Sequence, residues 1–346
     1  MPRESIRDEE MAMLGIGLIG LGGIARSHLS ALKIAEQEGF ARCVAAADLV
    51  DDLRESHRAE WRIPSVYENH QALLEDPNVD AVAIVLGHHL HADLAIDALK
   101  AGRHVFVEKP MAITLDECDR MIEAEQAADR ILQIGLTGRF HSAPRKAREI
   151  LDSNQLGPVV TAMSTFSKNW AYDSRRYQYR SRWQGGGMWL GNGVHAVDWL
   201  TYCVGAKAVA VKARQSTSMH YQGADDTTTA FIQFANGVPG LVLVVGSAHG
   251  CKKDGVEAHC ALGQIEYSIR GGVRVGVDNN WTDIESDGKD GFAEQYRHFA
   301  HSITTGVRPQ TSSHYGRHIL EILTAAEESS ITGREVHLTD YHRLPW

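Results

Sequence analysis

The chain has 346 residues, with 43% hydrophobic and 23% charged side chains and a formal net charge of −9. Length of this order accommodates two domains and a sizeable core, and the acidic balance argues against a nucleic-acid surface as the main business. No apolar run is long enough to span a bilayer, and the polar start MPRESIRDEEMA is read as a loose tail over residues 1–12, not a signal peptide.

From residue 13 the chain alternates strand and helix. Leu14 to Ile19 reads as an apolar strand. A glycine-rich turn and a helix carrying His28, Leu29 and Leu32 follow it. Ala41 to Ala47 is a second strand, closed by Asp48, and a polar helical stretch runs on to Trp61. Val79 to Leu86 is a third strand. Ala92 to Ala101 has helix spacing at Leu94, Ala95, Ala98 and Leu99, with Gly102 as its stop. Val105 to Val107, a helix over Leu115–Ala128 and a strand over Ile131–Gly135 complete the series. Such alternation predicts an α/β fold, a parallel Rossmann sheet with helices on both faces, over residues 13–140.

The glycine-rich stretch LGIGLIGLGGIA has two registers, Gly15-x-Gly17-x-x-Gly20 and Gly20-x-Gly22-x-x-Ala25. The first would leave a short strand and place Gly22 and Gly23 inside the helix, each costing about 1 kcal/mol relative to alanine. The second provides a full strand and a helix beginning near Ile24. Gly20 then makes the tight turn, Gly22 lets the backbone approach a pyrophosphate at the helix N-terminus, and Ala25 keeps helix and strand close. Asp48 follows Gly20 by 28 residues, further than the typical gap of about 20. Its carboxylate suits the ribose hydroxyls of NAD. It would repel the extra phosphate of NADP, and no arginine follows at Leu49 or Val50.

After residue 140 strands dominate: Val159–Phe166, Val209–Ala213, Thr227–Phe234, Leu241–Val245, Val256–Ala261, Ile265–Ile269 and Val273–Val277. Short turns at Ala235-Asn236-Gly237 and Leu262-Gly263 suggest hairpins, hence a largely antiparallel sheet. Helices are expected over Met188–Cys203, Phe292–Ile303 and Gly316 to about Ser330. They would cover one face of this second α/β domain, 141–346. The other face is either wet or pairs with a second subunit, and Val242, Val244 and their apolar neighbours favour an oligomer.

Chemistry is suggested at several points. Five cysteines (Cys43, Cys118, Cys203, Cys251, Cys260) form no CxxC, and eighteen histidines form no HExxH. Reduced thiols in a cytoplasmic protein without a metal site are therefore expected. In GRHVFVEKP, 102–110, an apolar strand delivers Glu108 and Lys109 to the rim of a sheet, with Pro110 closing the turn. The stretch KNWAYDSRRYQYRSRW, 168–183, sets Lys168, Arg175, Arg176, Arg180 and Arg182 against one acid, Asp173, among aromatic residues. Such a loop suits a carboxylate or phosphate clamp, or stacking on a sugar. It also suits an ordinary surface or interface loop.

Three motifs in order, GLGGIA at 20–25, GRHVFVEKPMA at 102–112 and GGGMWLGNGVHAVDWL at 185–200, resemble the GFO/IDH/MocA oxidoreductase family. FAEQYRHFAHSITTG at 292–306 extends the resemblance over nearly the whole chain. It implies a Rossmann domain followed by a domain with an open sheet, through which homodimers or homotetramers form. It also implies hydride transfer between NAD(P) and a sugar, a cyclic polyol or a related alcohol.

The resemblance places Lys109 beside the nicotinamide, in a Lys-Pro peptide that is often cis, and makes His195 the partner that moves the hydroxyl proton. It implies cofactor contacts from Gly20, Gly22, Gly23, Ile24, Ala25 and Asp48, and from Leu86, Gly87, His88, His91, Glu108 and Lys109. Substrate contacts are expected from Lys109, Arg139, Lys168, Trp170, Arg182, Asn192 and His195. Asp198, on the face of His195, is expected to orient it or to cap a local network.

Two departures stand out. Many members carry an aspartate four residues before the histidine, where this chain has Gly191. Either Asn192 takes over positioning or His195 works without a carboxylate. Many have Thr-Pro where this chain has Gly87-His88-His89. Rival readings are an aromatic dihydrodiol dehydrogenase, including carboxylated substrates, and a non-catalytic NAD(P)-sensing regulator. Retention of Lys109 and His195 argues against the second.

Overall fold

The computed structural model describes residues 13–170, 181–182, 185–220 and 223–338. The tail over 1–12 and most of the arginine-rich loop, including Arg175, Arg176 and Arg180, lie outside the described residues.

The first sheet comprises β1 (Leu14–Ile19), β2 (Ala41–Ala47), β3 (Ser65–Tyr67), β4 (Ala81–Ile84), β5 (His104–Glu108) and β6 (Leu132–Gly135). All pairs are parallel, in the order β3-β2-β1-β4-β5-β6. The apolar strands are buried on both faces, since helices α1 (Ala25–Gln37), α2 (Asp51–Trp61), α3 (His70–Leu74), α4 (His91–Lys100) and α5 (Leu115–Ala128) cross between them. Thr114 caps α5 through Glu117 in a capping box. Expected strands and helices recur within a few residues. The short β3 and α3 were not expected, being too brief for periodicity to register.

The second sheet has nine strands: β7 (Val159–Asn169), β8 (Ala208–Ser216), β9 (Thr227–Phe234), β10 (Pro239–Ser247), β11 (Lys253–Cys260), β12 (Gly263–Ser268), β13 (Val273–Val277), β14 (Asn280–Ile284) and β15 (Val336–His337). Their order is β14-β13-β12-β11-β7-β10-β9-β8-β15, antiparallel except for β7 beside β10. Helices α6 (Ser142–Asp152), α7 (Val194–Val204) and α9 (Ser313–Thr332) cover one face.

Which residues face out differs from expectation. Val242 and Val244 are fully buried, on the helix side. Alternation turns Leu241 and Leu243 outward instead, 44% and 37% exposed, and Leu241 pairs with Phe231 and Met163, which are also exposed. A shift of one residue along a strand exchanges its two faces.

The last helices return to the first sheet. In α8 (Gly291–Thr305), Ala293, Tyr296 and Phe299 join the core formed by α1 and Phe106. The Tyr296 and Phe106 rings stack at 5.2 Å. Helix α9 packs on both α5 and β8 and so spans the two sheets.

Candidate active site

Strand order reverses between β1 and β4, and a crevice opens there at the carboxyl ends of the strands. Gly20 turns the chain with φ +101°, and a Cβ on it would lie 2.6 Å from the Leu86 side chain and 2.8 Å from the Val85 carbonyl. Only glycine permits that approach. A Cβ on Gly22 or Gly23 would meet nothing within 4 Å, so both open onto free space.

Ile24 at the N-cap of α1 supplies no side-chain acceptor; the Ala25 and Ser27 amides bond the Gly22 and Ile24 carbonyls, which leaves the Arg26 amide of the first turn to an anion. Asp48 accepts from Leu21 N at 2.8 Å and Val50 N at 2.9 Å, which aims its carboxylate. Nearby Arg54 is turned to Asp51 and the Asp48 carbonyl. Gly20, Gly22, Gly23, Ile24, Asp48, Leu86 and Gly87 line this cavity of about 760 Å³. Its glycine floor, helix terminus and acid fit a dinucleotide. Ala25 is fully buried beneath, as the close helix–strand packing requires.

His91 departs from expectation. It is fully buried below the crevice, with Nδ1 2.8 Å from the Pro110 carbonyl and Nε2 3.3 Å from the Leu86 carbonyl. It braces the two loops that carry Leu86 and Lys109 and does not line the cavity.

A second cavity, about 430 Å³, adjoins the first and shares Ile24 and Leu86 with it. β5 delivers Glu108 and Lys109 to its wall, and the Lys109-Pro110 peptide is cis. Glu108 Oε1 lies 3.1 Å from His28 Nε2, and His28 Nδ1 is 2.9 Å from the Tyr296 hydroxyl. Burial would raise the Glu108 pKa, but the His28 hydrogen bond and the charges of His28 and Lys109 outweigh it and hold it down. Glu108 is thus anchored by α1 and α8, and its other oxygen accepts the Lys109 backbone N–H at 3.1 Å. Lys109 Nζ donates to the Gly191 carbonyl at 2.8 Å. Burial lowers its pKa, with Glu108 opposing.

Gly191 lies in a π-helical turn, Trp189–Gly193, that leads into α7. Such turns occur frequently at functional sites. Asp225 fixes the turn's start by accepting Trp189 N–H at 2.8 Å, and burial pushes this carboxyl up to about 7. The neighbouring Asn192 accepts from Lys168 Nζ at 2.8 Å. Asn192 therefore positions Lys168.

His195 is half-buried in the same cavity, clustered with the rings of Phe166 at 6.3 Å and Trp199 at 5.8 Å. Its Nδ1 has no hydrogen-bond partner among the described residues. Desolvation, then the charges of Lys109, Lys168 and Arg270, push its pKa well below 6.5. His88 also lines this cavity, bonded through Nδ1 to the Gly185 carbonyl at 2.7 Å, whereas His89 is exposed. Burial, then His91 and Lys109, lower His88 to about 3.

Trp170 lines the cavity, but two other expected substrate residues do not. Arg139 is buried between the Tyr202 and Tyr315 rings and pairs with Asp198, which also accepts from Tyr315 Oη at 3.0 Å. Asp198 is committed to this network and does not orient His195. Arg182 makes two hydrogen bonds to Glu327 of α9, at 2.6 and 2.9 Å. In both cases a carboxylate from a distant segment has claimed the guanidinium.

Several lining residues had no sequence signal: His141, Phe166, Lys252, Asp254 and Arg270. Each belongs to an ordinary-looking stretch of the second sheet and its turns or, for His141, to the segment that leads into α6. His28, which steadies Glu108, reads in sequence as one more residue on a buried helix face.

Comparison with known proteins agrees with this geometry. Residues 14–136 match the model of an oxidoreductase family with an NAD-binding Rossmann fold, GFO_IDH_MocA, and residues 145–266 match the GFO/IDH/MocA C-terminal domain. Myo-inositol 2-dehydrogenase of Thermotoga maritima is 28% identical over 94% of this chain and 98% of its own length. A 1-carboxy-3-chloro-3,4-dihydroxycyclohexa-1,5-diene dehydrogenase of Comamonas testosteroni is 31% identical over 68% of this chain and 58% of its own. Among solved structures, aldose-aldose oxidoreductase from Caulobacter crescentus superposes with a TM-score of 0.86 at 25% identity, covering 94% of this chain and all of the other.

Proposed function

The chain belongs to the GFO/IDH/MocA oxidoreductase family, and from that premise we propose a specific division of labour within its two cavities. It is an NAD-dependent dehydrogenase that acts on a secondary alcohol of an inositol, a sugar or a sugar derivative. The observation that carries the reading is Lys109. This half-buried lysine is bonded to the Gly191 carbonyl in the wall of the cleft that holds His195, and that cleft adjoins the dinucleotide crevice through Ile24 and Leu86.

In this reading Gly20, Gly22, Gly23 and the N-terminus of α1 hold the pyrophosphate, and Asp48 takes the ribose hydroxyls. Bound NAD supplies the acceptor for the hydride that leaves the alcohol carbon. Lys109 holds the alcohol oxygen. Its desolvated ammonium donates readily, so the oxygen is polarised as the carbonyl forms. His195 takes the hydroxyl proton. Its lowered pKa keeps the imidazole neutral at pH 7, with a ring nitrogen able to accept. Phe166, Trp170 and Trp199 wall the cleft and exclude water. Reduction of the ketone uses the same groups in reverse.

The aromatic walls beside His195 favour one second reading, a cyclic dihydrodiol lying flat against them. The named activity of the Comamonas relative lends it support. We further read the exposed Leu241, Leu243, Phe231 and Met163 face as the contact of a homodimer or homotetramer. The five free cysteines support a reducing, cytoplasmic setting.

The test is NADH formation at 340 nm (an assay wavelength) over inositols, sugars, sugar acids and dihydrodiols, with Lys109→Ala as control. Turnover of a polyol or sugar that the control loses is the expected result. Turnover only of dihydrodiols would favour the second reading. Unchanged turnover in the control would remove Lys109 from the mechanism, and bound NAD with no turnover of any class would return the regulator reading.

A further inference from the structure

The substrate cleft has an uneven charge distribution. Among its described lining residues, Lys109, Lys168, Lys252 and Arg270 face two carboxylates, Glu108 and Asp254. Both carboxylates are already engaged. Glu108 is held by His28 at 3.1 Å, and Asp254 lies 2.5 Å from Lys252 Nζ.

The π turn concentrates the imbalance. Two ammonium groups are bonded to adjacent residues of Trp189–Gly193, Lys109 to the Gly191 carbonyl and Lys168 to the Asn192 side chain, each at 2.8 Å. The turn itself, WLGNG, contributes no acid. A Cβ on Gly191 would meet no atom within 4 Å, so the turn leaves room in the cavity beside both cations.

We propose that the substrate carries an anionic group, a carboxylate or a phosphate, that occupies the room over Gly191 between Lys168 and Arg270. This names the substrate class of the dehydrogenase reading and rests on it. Charge-assisted hydrogen bonds to the two cations would hold the group.

The same charges act on His195. Lys109, Lys168 and Arg270 add to desolvation in depressing its pKa. An anion among them offsets that repulsion and raises the imidazole pKa toward the working pH, where a general base works best. An acidic substrate thereby improves the base that serves it, and a neutral analogue does not.

Calorimetric binding to the NAD-loaded protein tests this without requiring turnover. Three matched sets serve: glucose, glucuronate and glucose 6-phosphate; myo-inositol and quinate; a cyclohexadiene diol with and without a carboxylate. The expected result is that in at least one set the anionic compound binds at least about tenfold tighter than its neutral counterpart. The two anions of the glucose set distinguish carboxylate from phosphate. Gly191→Asp, which fills the room with a fixed carboxylate, and Arg270→Met are each expected to reduce that preference, and high salt to weaken it. Equal or weaker binding of the anions in all three sets, or a preference untouched by both substitutions, would overturn the proposal. Anion binding without NADH formation from any compound would instead count against the dehydrogenase reading and leave the anion site standing.

Discussion

The dinucleotide crevice and the substrate cleft share Ile24 and Leu86 but are assembled differently. The crevice draws its shape from the turn after β1, the acid after β2 and the loop after β4, each within or next to a single strand–helix unit. The cleft takes Lys109 from β5, Lys168 from β7, His195 from α7, Lys252 and Asp254 from the start of β11, Arg270 from the turn after β12 and Phe292 from α8. Local geometry suffices for the first. The second exists only once two sheets and a returning helix are packed, so its chemistry should be the more sensitive to distant substitutions.

Loss of the lysine should produce the largest separation between the two regions. Lys109→Ala is expected to lower kcat by about 10²–10⁴-fold while NAD binding, followed by fluorescence titration, changes little. A matching loss in both would mean that the regions are not separable in this way.

Next in size is a stability effect. Asp198→Ala strips the buried Arg139 of its partner and should cost about 3–5 kcal/mol in urea unfolding. A raised KM at unchanged stability would instead return Arg139 to the substrate site.

Asp48→Ala probes the crevice alone. NAD affinity should fall by about 1.5–3 kcal/mol, the value of hydrogen bonds to a charged group. Preference for NAD over NADP should shrink at the same time. Ratios of binding constants for the two cofactors measure both effects, and an unchanged ratio would remove Asp48 from the ribose.

The smallest effect is graded with pH. Burial lowers His88 to about 3 and His141 to about 4, and both line the substrate cleft. His104 and His298 are each lowered to about 4, again chiefly by burial. These groups stay neutral in the fold after the unfolded chain has begun to bind protons near pH 6.5. Their contribution is intact above that pH and is lost as pH falls toward about 4. Hydrogen exchange at pH 5 should therefore show opening around residues 137–141 and 185–195 before residues 20–25. Simultaneous opening would contradict the distinction between the regions.

The alternation of apolar strands with amphipathic helices, the choice of glycine register and the presence of Asp48 and Lys109 at strand ends were legible in the chain. Each depends on interactions a few residues long or on the periodicity of one element. The resemblance of GRHVFVEKPMA and GGGMWLGNGVHAVDWL to known motifs added the expectation that Lys109 and His195 share one cleft, and both line it. The allocation of partners was not legible. Arg139 and Arg182 have the composition of substrate clamps, yet Asp198 and Glu327 neutralise them from other helices. His91 looks like a cofactor ligand and is a buried brace. Val242 and Val244 could face either way until pairing with β7 and β9 set the register of β10.

Sequence by itself determined the two kinds of sheet, the glycine turn after β1 and which chemical groups the chain has to use, because propensity, periodicity and short-range sterics act along the backbone. Tertiary structure decided which of those groups remain available. A buried charge must find a counter-charge or a hydrogen-bond partner wherever packing brings one within reach, and that reach runs through space, from Asp198 to Arg139 and from His28 to Glu108, not along the chain.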